Sequence, residues 1–165
     1  VIGGGYPLAA VAGRKEIMDH FDIDKVGRDT WVMQEGTLNG NPVAAAAGLA
    51  TLQILQREGT YQKLFDTGER LKLELERLLY EAEIPAQVIG EGPMFDALFQ
   101  KEDPIDYRSV MNREYSKTTR LNQLLLERGI YKNDSKFYVS TAHGEEEIAL
   151  TLAAFESAIE NLASE

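Results

Sequence analysis

The chain of 165 residues has no cysteine and only two histidines. Without thiols, disulfide staples and thiolate metal sites are excluded. His20 and His143 lie far apart and give no metal-ligand spacing, so no metal site is expected. Positive charge is scarce: 17 Lys and Arg stand against 27 Asp and Glu, a formal net charge of −10. Such a surface repels nucleic acid and anionic membranes, and neither is expected as a partner. A local donor-rich loop can still hold a phosphate. Long apolar runs are missing as well. The alanine-rich stretch Ala44–Ala50 is too short to span a bilayer, and no basic leader with a cleavage site opens the chain. The lack of cysteine fits a reducing compartment, and the expected location is cytoplasmic. The chain opens on Val1 rather than methionine, and upstream polypeptide is expected.

What is present reads as two different textures. Val1–Ile2 reads as a strand end running into the turn Gly3-Gly4-Gly5-Tyr6-Pro7. Leu8–Val11 is a second short apolar piece, and Lys15–His20 one or two helical turns. Residues 21–35 show no clean period and read as a loop, with a short strand at Trp31–Met33. Asn41-Pro42 then gives an N-cap followed by proline at the first helical position, which predicts a helix to about Arg57.

From residue 60 the pattern strengthens. Leu64, Phe65, Leu71, Leu75, Leu78 and Leu79 recur at helical spacing and stop before Pro85. Gln87–Gly90 and Met94–Phe99 predict strands around the turn Glu91-Gly92-Pro93, and Glu102–Tyr107 reads as a polar loop. Ser116–Arg128 predicts a helix stopped by Gly129. Ile130–Tyr131 and Phe137–Ser140 predict short strands. A last helix opens at Gly144, with Glu145, Glu146 and Glu147 where the helix dipole favours negative charge. Residues 59–165 therefore read as a small α+β domain. Residues 1–58 carry too few strands for a sheet of their own and read as part of a larger α/β domain.

Three segments bear on chemistry. The glycine run at residues 3–5 permits positive φ or close backbone approach, but a tight turn explains it equally well. Gly36-Thr37-Leu38-Asn39-Gly40-Asn41-Pro42 places a free backbone and a hydroxyl just before a helix N-terminus, a place suited to a phosphate. A capped loop without a ligand is the simpler local reading. In Ser140-Thr141-Ala142-His143-Gly144 the histidine is available for acid–base work, but the segment reads more simply as a cap for the last helix. The lysines lie in polar stretches and read as exposed, which makes them poor nucleophiles at neutral pH.

The order of these motifs carries more than any one of them. The run from Val1 to Arg14, the segment Arg14–Met18, the Gly36–Pro42 block with its alanine-rich helix, Glu127–Tyr131 and Val139–His143 follow one another across nearly the whole chain. In that order they resemble the second half of class III, fold type I, pyridoxal-phosphate aminotransferases, nearest to the glutamate-1-semialdehyde aminomutases. The resemblance implies an α/β fold: the end of the large cofactor-binding domain at residues 1–58, then the small C-terminal domain at 59–165. It implies pyridoxal 5'-phosphate as cofactor and a small amino acid or amine as substrate. It also implies a homodimer that shares each site across its interface, and an N-terminal half of the same enzyme as partner.

On this resemblance the lysine that forms the aldimine falls immediately before Val1, so no catalytic residue lies in the chain. Gly36 and Thr37 are expected to bind the cofactor phosphate, which reverses the local preference for an empty loop. Ala9-Ala10 and Ala12-Gly13 replace the usual small-residue pairs, Tyr6 stands where leucine is common, and the Met18–Gly36 loop is longer. These differences bear on substrate choice. The alternatives are a non-catalytic piece that dimerises without covalent cofactor, and an independent interaction module.

Overall fold

The computed structural model describes residues 2–165. The chain forms two compact units, Val1–Glu58 and Gly59–Glu165.

In the first unit the glycine run makes a tight turn, with Tyr6 N–H donating to Gly3 O at 2.9 Å. Val1 lies outside the described residues, and Ile2 belongs to the turn, so no strand end is seen at this place. Gly4, at φ 56°, lies against Thr51, where an added Cβ would sit 3.1 Å from the hydroxyl oxygen. Three short helical pieces follow: α1 (Lys15–Met18), a 3-10 turn (Asp19–Phe21) and α2 (Ile23–Val26). Asp22 caps α2 by accepting from Asp24 N–H, so a helical turn forms inside the expected loop. Trp31–Met33 is not a strand. It is irregular chain fixed by Val32 N–H donating to His20 O at 2.7 Å, one bond rather than a ladder.

The main element of this unit is α3 (Pro42–Leu55). Only Ala44 and Gly48 are buried along it, while Val43, Leu49 and Leu52 are exposed. Gly48 is small because Leu8 packs on it; a Cβ there would meet Leu8 Cδ2 at 2.2 Å.

The second unit holds the core. The long helix α4 (Thr60–Glu81) presents Leu64, Leu71, Leu75, Leu78 and Leu79 to one side, the stripe its period requires. Strands β1 (Gln87–Glu91) and β2 (Met94–Leu98) form an antiparallel hairpin with Gly90 opposite Phe95. β2 pairs in turn with β3 (Phe137–Tyr138), giving the sheet order β1-β2-β3. A single turn α5 (Tyr107–Val110), at the end of the expected polar loop Glu102–Tyr107, closes on a capping box between Asp106 and Ser109. Helix α6 (Tyr115–Glu127) and the last helix α7 (Glu145–Ala163) complete the layer over the sheet.

Phe95 stacks on Phe137 at 4.9 Å, and Phe137 meets Phe155 edge-on at 5.3 Å, tying two strands to α7. Leu75, Leu125, Phe155 and Ala158 are fully buried around them. Each large apolar side chain so buried contributes about 1.5–3 kcal/mol. Ile130–Tyr131 is not a strand: it is irregular chain leaving α6, and the sheet ends at β3. Among the described residues no helix is long and apolar enough to cross a membrane.

Candidate functional site

The loop before α3 is shaped by two backbone turns and the Asn41 side-chain cap. Asn39 N–H donates to Gly36 O at 2.9 Å, and Asn41 N–H to Leu38 O at 3.1 Å, which folds residues 36–41 into two successive turns. Gly36 has no room for a larger residue without displacing Asn39, whose Oδ1 would lie 3.0 Å from its Cβ. Gly40 takes φ 73° to bring the chain into the cap. Asn41 Oδ1 then accepts from Val43 N–H at 2.9 Å and Ala44 N–H at 3.1 Å, and Pro42 starts the helix.

This geometry leaves a surplus of donors. The Thr37 hydroxyl and the N–H groups of Thr37, Leu38 and Gly40 have no hydrogen-bond partner among the described residues. Gly36 and Thr37 sit side by side on a shallow, open concavity with Gln34, Glu35 and Asn39. Both are exposed. Free N–H groups and a hydroxyl ahead of a helix N-terminus suit an anionic oxygen cluster such as a phosphate. Glu35 is the one carboxylate on the concavity, and its charge opposes a bound anion, so the N–H groups and the hydroxyl must outweigh it. The donor set fits a phosphate ester.

The other residues raised by the sequence fall elsewhere. His20 Nδ1 lies 2.7 Å from Thr30 O and serves the first unit's loop. His143 Nδ1 accepts from Ser140 N–H at 3.2 Å, inside the turn that leads to α7. Glu147 Oε2 accepts from Gly144 N–H at 2.8 Å, and that bond holds its carboxyl below the usual range. No group of three or more metal-ligating side chains occurs among the described residues.

One lysine departs from the expected exposure. Lys132 is buried, with its ammonium 3.0 Å from Asp96 Oδ1 and 5.0 Å from the centre of the Phe137 ring. The ammonium also donates to Asn133 O at 3.0 Å. Burial pushes the Asp96 carboxyl up from its ordinary value, and Lys132 opposes the shift. A lone aspartate inside the apolar run Met94–Phe99 is the sequence signal that points to such a pair.

A family model described as aminotransferase class-III matches residues 1–159. Glutamate-1-semialdehyde 2,1-aminomutase of Persephonella marina is 37% identical over 165 residues, covering 98% of this chain and 37% of that protein. Among solved structures, an omega-transaminase from Sphaerobacter thermophilus superposes with a TM-score of 0.84 at 32% identity, over 98% of this chain and 37% of the other. A transaminase with PLP bound superposes at 0.81 with 30% identity, over 99% and 37%. The fold is thus that of the C-terminal part of these enzymes, and the chain spans little more than a third of their length.

Proposed function

Because this chain belongs to the aminotransferase class-III family, we propose that it is the C-terminal portion of a pyridoxal 5'-phosphate-dependent aminotransferase or aminomutase. The residue just before Val1 is a lysine that holds the cofactor covalently. The first unit, residues 1–58, is the end of the large cofactor-binding domain, and the second is the small C-terminal domain. The protein acts in the cytoplasm on a small amino acid or amine.

The observation that carries this reading is the family match over nearly the whole chain together with the donor-rich loop at Gly36–Thr37. When bound, the cofactor carries the amino group and accepts electrons from the substrate carbon. The chain's own part is to bind and orient. Thr37 Oγ and the adjacent N–H groups grip the phosphate, and the α3 dipole adds to the attraction. The loop reaches the site of a second subunit, so the enzyme is a homodimer. Exposed Val43, Leu49 and Leu52 on α3 support the presence of further polypeptide over this helix, supplied by the N-terminal half.

The test is borohydride reduction of the full-length protein, followed by peptide mapping. The expected product is a pyridoxyl-lysine immediately followed by Val-Ile-Gly-Gly-Gly. Labelling at any other lysine, or none at all, overturns the assignment.

A further inference from the structure

A second concavity lies wholly within the Gly59–Glu165 unit, between the segment that leaves α6, β3 and the first turns of α7. Its volume is about 450 Å³, within the range of small-molecule sites. The floor is apolar: Leu71, Phe137 and Ile148 close it from below. Two phenols stand at its walls, Tyr131 at 84% exposure and Tyr138 at 55%. Neither hydroxyl has a hydrogen-bond partner among the described residues.

Around this floor several donors are free, while the Thr151 hydroxyl donates to Glu147 O and offers only an acceptor. Lys136 is exposed and makes no ion pair among the described residues, whereas the charge of Lys132 is already matched by Asp96. His143 accepts at Nδ1, which leaves its neutral ring with the proton on Nε2. Asn133 Oδ1 accepts from Ser135 N–H and Oγ, so the free end of that amide is its NH₂. Glu147 is the one carboxylate, and Gly144 N–H occupies its Oε2. A donor surplus, one uncompensated ammonium and an apolar floor select a ligand that is anionic at one end and apolar at the other.

We propose that this groove binds a small organic carboxylate with an apolar body, its carboxylate at Lys136 and its body over Phe137 and Ile148 between the two tyrosines. The groove is formed within the Gly59–Glu165 unit alone and does not rest on the phosphate reading of Gly36–Thr37.

The experiment uses the full-length protein saturated with pyridoxal 5'-phosphate, with cyclohexanecarboxylate as probe and cyclohexanecarboxamide as its neutral counterpart. Hydrogen exchange is followed by mass spectrometry, and cofactor absorbance is recorded in parallel so that loss at one site is read separately from the other. The expected result is slowed exchange in residues 129–139 and 147–151 with the carboxylate and not with the amide. Lys136→Gln is expected to raise the probe Kd about tenfold or more, the loss for a charge-assisted hydrogen bond. Tyr138→Phe, which keeps the ring, is expected to raise it by a smaller factor. Protection confined to other segments, equal binding of the amide, or an unchanged Kd in Lys136→Gln overturns the proposal.

Discussion

Gly68 of α4 rests directly on the backbone of Gly92: a Cβ on Gly68 would lie 1.8 Å from the Gly92 carbonyl oxygen. The long helix can therefore approach the β1–β2 turn only through two residues without side chains. Gly92 is pressed by the same helix one turn earlier, since a Cβ there would stand 2.5 Å from the Phe65 ring. Gly68→Ala forces helix and hairpin apart, and no flexible side chain is available to yield. The expected cost is about 2 kcal/mol or more, the scale of overpacking. Urea denaturation of the full-length protein measures it, and an unchanged midpoint would contradict the close contact.

The Asp96–Lys132 pair makes a second, asymmetric expectation. Lys132→Met removes the charge at 3.0 Å and leaves a buried carboxylate, a loss of about 3–5 kcal/mol. The double change Asp96→Leu with Lys132→Met removes both charges, and its cost is expected to be small or even negative. The sign with pH follows from the raised Asp96 pKa. A carboxyl whose folded pKa lies above its unfolded value of 3.8 favours the folded state below that value, and this stability is lost as pH rises through the folded pKa. The Lys132→Met deficit is thus smallest in acid and grows with pH. A deficit independent of pH would place Asp96 in water.

Glu147 has the opposite sign. Its carboxylate accepts Gly144 N–H, and its pKa is lowered from 4.5 chiefly by that bond. The cap therefore stabilises α7 above the unfolded pKa and is lost as pH falls through the depressed value. Glu147→Ala is expected to lower the melting temperature at neutral pH. The difference from the unaltered protein should close in acid. Thermal scans across that range decide it, and a gap that widens on acidification would refute the role.

The elements that the sequence makes legible are those whose signals are local. α4 follows from leucine spacing, α7 from the acidic first turn after Gly144, and the hairpin from two apolar runs around Glu91-Gly92-Pro93. Ile130–Tyr131 resembles a strand in composition but has no ladder partner, a tertiary condition that composition does not encode. Trp31–Met33 fails for the same reason. The Lys132 burial depends on Asp96, a residue distant in the chain, so the polar neighbours of Lys132 suggest exposure where there is none. At the candidate site, the turn glycines and the Asn41-Pro42 cap are readable from residue types alone. The unsatisfied N–H groups of Thr37, Leu38 and Gly40 emerge only once the turns are built.

Those N–H groups lead to the expectation at Thr37. Thr37→Val keeps the β-branched shape and removes the hydroxyl alone, so the turn closed by Asn39 N–H on Gly36 O persists. If the hydroxyl donates to the cofactor phosphate, its loss costs about 1–3 kcal/mol of cofactor binding, the range for a hydrogen bond to a charged group. That corresponds to roughly a five- to 150-fold weaker affinity for pyridoxal 5'-phosphate, read as its faster loss on dialysis. Thr37→Ser keeps the donor and is expected to hold the cofactor nearly as well as the unaltered protein. The pair of variants separates a phosphate contact from a packing effect, because the methyl is lost in one and the hydroxyl in the other. Equal retention in Thr37→Val and the unaltered protein would remove the hydroxyl from the site and leave the backbone N–H groups as its donors.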